Sequence, residues 1–128
     1  MKITAAATVL PVRDIDQSLR YFTEVLGFTQ EFRFDNYASI ERDRALIHLS
    51  QQGNPNTAAP GSGGIYIFCD EVDDFYSEIT ARGATVGGEP QDYPYGMRDF
   101  VVHDPDGNKV SFGCPTSEPD KTSTAQGA

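Results

Sequence analysis

The sequence predicts an α+β fold built from two tandem βαβββ modules that form a curved mixed sheet around a cleft. Three observations lead there. The order strand, amphipathic helix, glycine, then three strand-like runs occurs twice. Asp14-Ile15-Asp16 stands before the first helix as Glu71-Val72-Asp73 stands before the second. The distance from Ile15 to Gly27 is twelve residues, and from Val72 to Gly83 it is eleven. Repetition of a whole order of elements, more than of one motif, marks a duplicated module.

Module one is expected over residues 5–50. Its first strand, 5–12, reads A-A-A-T-V-L-P-V, and Pro11 confines it to an edge or a bend. The helix that follows carries Leu19, Phe22, Val25 and Leu26 on one face, with Asp16 as the expected cap and Gly27 as the stop. Strand-like runs come at 28–34, 36–42 and 45–50, the last two joined through Arg42-Asp43-Arg44. A polar linker rich in Gly and Pro, 51–63, separates the modules.

Module two is expected over 64–114. I-Y-I-F-C (65–69) is a strand, and Val72, Phe75, Tyr76 and Ile79 give the next helix its apolar side. After Gly83 come a strand-like run at 84–89 and a loop at 90–96. D-F-V-V-H and K-V-S-F-G then pair across Asp104-Pro105-Asp106-Gly107-Asn108. That turn is not a calcium loop. Counted from Asp104, glycine falls fourth rather than sixth, and position twelve is Pro115 rather than Glu. Proline presets φ, Gly or Asn accepts positive φ, and Asp104 can hydrogen-bond the turn backbone.

The chain of 128 residues fits one domain, 1–115, and 38% hydrophobic residues suffice for a core. Residues 116–128 hold no large apolar side chain, so a disordered tail is expected there. Nineteen acidic residues against ten basic give a formal charge of −9. This argues against nucleic acid or an anionic membrane surface as partner. It suits a cationic ligand, and equally a plain solvated surface. Cys69 and Cys114 make neither a disulfide framework nor a metal motif. The first residues carry no long apolar core, so neither a signal peptide nor a membrane span is expected, and a cytoplasmic location follows as the default.

Four pieces, V-R-D-I-D-Q-S-L-R-Y-F-T-E-V-L-G-F (12–28), Y-A-S-I-E-R (37–42), I-H-L-S (47–50) and R-D-F-V-V-H-D-P-D-G-N-K-V-S-F (98–112), together resemble the vicinal oxygen chelate superfamily. That superfamily includes glyoxalase I, extradiol dioxygenases, fosfomycin-resistance proteins and bleomycin-binding proteins. The chain is most similar to the bleomycin-resistance, or glyoxalase-like, branch. The resemblance implies a homodimer that binds a small organic molecule in clefts between subunits, without chemistry. A bleomycin-like cationic antibiotic is the concrete example. A single chain whose halves close one cleft fits the sequence too. The alternative reading is a diverged metal-dependent lyase, isomerase or dioxygenase of the glyoxalase type.

Metal-dependent relatives place one His or Glu on each of four cleft strands, donors suited to a divalent ion with sites left open for substrate. The resemblance maps these places to Ala7, His48, Gly64 and Ser111, with Tyr66 as the replacement if the register slips at Gly64. One strong donor of four remains, so neither metal nor other cofactor is expected. The same mapping brings Tyr37, His48, Tyr66, Tyr93, Tyr95, Arg98 and Ser111 to the ligand groove. Tyr37 would stack on a planar moiety, His48 would hydrogen-bond a ligand oxygen, and Arg98 would pair with a carboxylate at the groove or the dimer seam. Asp35, Asp92 and Asp99 would add negative potential toward a cationic guest. No catalytic residue is assigned: no serine lies in a nucleophile elbow, and G-S-G-G at 61–64 precedes a strand instead of opening a helix. A one-residue slip would swap the inner and outer faces of 36–42 and 45–50, so the pattern alone leaves both registers open.

Overall fold

The computed structural model describes residues 1–116, so the expected tail lies outside them apart from Thr116. Module one comprises β1 (Thr8–Val12), α1 (Ile15–Arg20), β2 (Thr29–Phe34), β3 (Tyr37–Arg42) and β4 (Ala45–Gln51). Its sheet runs β1-β4-β3-β2. Module two comprises β5 (Gly64–Phe68), α2 (Val72–Ala81), β6 (Thr85–Val86), β7 (Gln91–Asp92), β8 (Met97–His103) and β9 (Lys109–Pro115). Its sheet runs β5-β9-β8-β6, with β7 also on β8. In both modules the first strand lies parallel to the last and the remaining pairs are antiparallel. The helix after each first strand supplies the crossover that a parallel pair requires. The duplicated α+β architecture read from the sequence is therefore the observed one, with mixed four- and five-stranded sheets.

Local chemistry sets the element ends. Asp14, not Asp16, caps α1: its side chain accepts from the Asp16 and Gln17 amides. Asp14 is still extended in backbone, as a cap must be, whereas Asp16 already lies inside the helix. After Arg20 the helix widens into a π turn, Tyr21–Val25, and Gly27 ends it at a φ of 78°. Phe22 and Leu26 remain fully buried through the widened turn. Tyr21 instead reaches module two, donating to the His103 carbonyl at 2.9 Å and accepting from the Thr85 amide at 3.1 Å.

The expected strand 84–89 is broken in two. Gly87 packs so tightly on Val101 that an added Cβ would stand 2.7 Å from its Cγ1, and Gly88 takes a φ of 144°. The strand re-forms as β7, inside the expected loop. At the amino end β1 begins at Thr8 rather than at residue 5, and residues 1–7 are exposed without regular structure.

Ala38, Ile40, Ile47 and Leu49 alternate inward on the helix side of the first sheet, and Phe100, Val102, Val110 and Phe112 do so on the second. All eight belong to one buried cluster with Ile15, Phe22 and Ile79 of the helical segments. The modules therefore share a core on their helix sides. Arg82 extends that junction by donating to the Val25 carbonyl at 2.9 Å, and Arg42 lies over the Phe75 ring.

The Asp104–Asn108 turn is the other junction. Asp104 Oδ1 accepts from the amides of Asp106 and Asn108, at 2.9 and 2.7 Å. Fully buried Asn108 then uses its whole side-chain amide: Nδ2 donates to Asp104 Oδ2 and to the Pro11 carbonyl, and Oδ1 accepts from the Gly63 amide. Asp106 adds an ion pair with Arg13 at 2.9 Å. Burial pushes the Asp104 carboxyl up, while its hydrogen bonds to Asn108 and Asp106 pull it back. A turn in module two thus clasps the end of β1 and the linker.

Candidate functional site

With one face of each sheet covered by a helix, the other is open, and strand register assigns its residues. In module one, Tyr37 pairs with Ser50, Ser39 with His48, Phe34 with Tyr37, Phe32 with Ser39 and Val9 with His48. Directly opposed residues share a face, so Val9, Phe32, Phe34, Tyr37 and His48 all stand on the open one. In module two the same logic gathers Tyr66, Phe68, Ser111, Gly113, Val101 and Asp99.

On the first open face Tyr37 Oη and His48 Nδ1 are 2.7 Å apart, and Phe32 meets the His48 ring edge-on at 5.6 Å between centroids. Whichever tautomer His48 adopts, its other ring nitrogen has no protein hydrogen-bond partner among the described residues. It can serve a ligand. Phe34 and Val9 are largely exposed beside this pair.

On the second open face Asp99 is the centre. It is 8% exposed, and its Oδ2 accepts from Tyr66 at 2.7 Å and from Tyr95 at 2.8 Å. Tyr66 reaches Asp99 by lying across Gly113, where any Cβ would collide with the phenol. Tyr95 stacks on Tyr93 with the rings 2° from parallel and centroids 5.4 Å apart, and Phe68 packs beside Tyr66. Burial and then the Asp99 hydrogen bond push the Tyr66 phenol upward. The hydrogen bond to Asp99 comes first for Tyr95, pushed up to about 12. Both phenols therefore stay neutral donors at ordinary pH. A small cavity of about 130 Å³ opens beside Asp99, bordered by Tyr93, Ser111 and Gln91.

Six of the seven expected residues thus stand in two clusters. Tyr37 and His48 meet in module one, while Tyr66, Tyr93, Tyr95 and Ser111 gather in module two. Arg98 is the exception. It is opposite Cys114 on the helix side of β8, where its guanidinium holds Asp73 at 2.8 Å and Asp92 at 3.1 Å. The inward alternation of Phe100 and Val102 puts Arg98 on their side and Asp99 on the other. The expectation that Arg98 lines the groove is corrected accordingly, and so is Asp92, which is bound to it. Asp99 was expected only as one of several negative charges, and its burial under two tyrosines was missed. The signal was there in outline, because a residue next to inward Phe100 must face the other way. Phe32, Phe34 and Phe68 were missed for the same reason.

A divalent ion fits these faces poorly. The parallel register puts Val9, not Ala7, beside His48, and Tyr66, not Gly64, beside Ser111. His48 is then the one strong donor among the four places, and among the described residues no three His, Cys, Asp or Glu side chains converge on a common point. A separate groove of about 1020 Å³ runs along the seam between β1 and β5, where Thr8 Oγ1 and the Gly64 carbonyl are 3.4 Å apart. Ala6, Ala7, Tyr66, Phe68, Phe75 and Glu78 border it.

Residues 4–112 match the model of the Glyoxalase/Bleomycin resistance protein/Dioxygenase superfamily. The chain belongs to this superfamily. It is 29% identical over 119 residues to a bleomycin resistance protein of Geobacillus stearothermophilus, covering 80% of this chain and 90% of that one. Virulence protein STM3117 of Salmonella typhimurium is similar in sequence and in structure, with 27% identity, a TM-score of 0.72, and 91% of this chain and 100% of that one covered. TnmS3, described as an antibiotic binding protein from Streptomyces sp. CB03234, superposes with a TM-score of 0.75 at 24% identity, over 91% and 99% of the two chains. At that identity the likeness to TnmS3 concerns the fold alone. A superfamily that spans binding proteins and dioxygenases leaves the choice between binding and catalysis to the residues of the open faces.

Proposed function

We propose that this protein binds a small organic molecule without chemically altering it, between the open face of one module and an open face of a second copy. The observation that carries the reading is the character of those faces. They present exposed aromatic rings with few, fixed polar groups, and a poor donor set where relatives of the metal-dependent kind need four good ones. The rings suit a planar or apolar guest, and His48, Ser111 and Asp99 supply orientation. A bleomycin-like antibiotic is the first guest to test, as the likeness to bleomycin resistance proteins suggests.

A homodimer completes the picture. The two open faces point away from the shared helix-side core, so each is half a cleft. Residues 1–7 are exposed, and the groove along the β1–β5 seam stands open beside them, features that a second copy would cover. Calorimetric titration of the purified protein with bleomycin is the test, alongside mass by light scattering. Saturable heat with one or two sites per dimer is expected. A monomer with no saturable heat at micromolar protein would sink the reading. Stoichiometric Zn, Ni, Mn or Fe retained without chelator, and lost in His48→Ala, would favour the enzymatic alternative instead.

A further inference from the structure

We propose that Asp99, in the cavity it shares with Tyr93, is the seat for an alkylated ammonium group of the guest. This deepens the proposed binding function and rests on it. The argument begins with charge. Asp99 is nearly buried, yet among the described residues no Lys, Arg or His pairs with it. The adjacent Arg98 spends its guanidinium on Asp73 and Asp92 across the sheet. Tyr66 and Tyr95 satisfy one carboxylate oxygen but bring no positive charge. A carboxylate taken out of water without a counter-ion is costly, and the cost is relieved when a cation arrives.

The surroundings select which cation. A primary ammonium presents three N–H donors and is strongly hydrated, so it needs several acceptors. Here the cavity offers one carboxylate, half committed to phenols, and beside it the ring of Tyr93, which Tyr95 backs by stacking. Ring faces attract a weakly hydrated, methyl-bearing ammonium and tolerate its lack of donors. The cavity of about 130 Å³ beside Asp99 is on the scale of such a head group. The open face of module one has no counterpart: Tyr37 stands at the place matching Asp99, and its partner is His48.

The test compares choline, its uncharged isostere 3,3-dimethylbutanol and n-butylammonium against the full chain at fixed ionic strength, by NMR titration of backbone amides. Choline should give saturable shifts at Gln91, Asp99 and Ser111, at least tenfold tighter than the isostere or n-butylammonium. Asp99→Asn should lose at least tenfold in choline affinity. Tyr93→Leu, which removes the bordering ring but neither charge nor a hydrogen bond to Asp99, should lose several-fold. Because the three probes are compared on the unaltered protein, a variant that fails to fold does not spare the proposal. Equal affinity for choline and the isostere, or shifts confined to other residues, overturns the seat. So does undiminished choline binding by folded Asp99→Asn. Bleomycin bound while choline and the isostere are not distinguished would sink the seat and leave the binding function standing. Choline held through Asp99 without bleomycin binding would uphold the seat and remove only the drug.

Discussion

The two open faces are built on one template and carry opposite chemistry. In module one the strand row reads Val9, His48, Ser39, Phe32, and the next reads Pro11, Ser50, Tyr37, Phe34. In module two the matching rows begin Tyr66, Ser111, Val101 and Phe68, Gly113, Asp99. A phenol paired with an imidazole on one side answers a carboxylate paired with phenols on the other. Module one can offer a donor or an acceptor as its tautomer allows, whereas module two offers fixed negative charge. Duplication preserved backbone register while side chains diverged, so an aromatic guest laid between copies would meet two unlike walls.

The sharpest way to break the comparison is at Gly113, whose counterpart is Ser50. Only a glycine lets Tyr66 cross the strand to Asp99. Gly113→Ala should cost about 1–3 kcal/mol by overpacking and lift Tyr66 off the carboxylate. Denaturant unfolding measures the first effect and phenol titration the second. Ser50 is itself buried and hydrogen-bonded to Thr57 and Asn54, so Ser50→Ala should also cost stability but leave the Tyr66 phenol unmoved. A Tyr66 titration unchanged in Gly113→Ala would contradict the account of Tyr66.

Asp99→Asn tests the charge itself. The chain has six tyrosines. In the unaltered protein Tyr21, Tyr66 and Tyr95 should ionise late when followed by ultraviolet absorbance, Tyr21 through burial, Tyr66 through burial and then Asp99, and Tyr95 through its Asp99 hydrogen bond. The variant should return Tyr95 toward about 10, lower Tyr66 only in part because burial still raises it, and leave Tyr21 late. The sign for stability follows. A phenol whose folded value is raised contributes fully below its unfolded value, and that contribution fades as pH climbs toward about 12 for Tyr95. Asp99→Asn should therefore flatten the alkaline limb of the stability curve.

His48→Ala removes the matching pair of module one. It should cost about 1 kcal/mol through the unpartnered Tyr37 hydroxyl and leave the late tyrosines untouched. Combined with Gly113→Ala, the losses should add within about 0.5 kcal/mol, because the faces share no partner. A larger coupling would mean that the faces communicate. The smallest effect is expected at Arg98→Gln. The Arg98 hydrogen bond holds the Asp73 carboxyl below its usual range. That contribution is present above the unfolded value of about 3.9 and is lost as pH falls through the lowered one. The variant and its parent should therefore differ slightly at neutral pH and converge in acid.

Much of the fold was legible because each element announced itself twice. Helix periodicity, the glycines at 27 and 83, and the turn chemistry at 104–108 agreed with one another. What the pattern could not carry was contact between distant strands. Whether Arg98 or Asp99 faces the open side depends on register, and a single alternating run reads equally well either way until its buried members are known. Asp14 displaced Asp16 as the cap because both residue types suit that role and only backbone geometry separates them. The break between β6 and β7 followed from Gly87 packing against Val101, a contact between residues far apart in sequence. Of the candidate site, the residue types and most positions were foreseeable. The division into two unlike faces was not, because it requires both sheets at once.

The Asn108 clasp bears on how the molecule is made. Its amide closes a hydrogen bond to the Pro11 carbonyl across 97 positions, and its oxygen receives the Gly63 amide. A chain emerging from the ribosome therefore closes these two bonds only after residue 108 has been made. Until then the close of β1 and the linker must satisfy those groups with water. Module one thus stays unclasped until the last turn of module two is made.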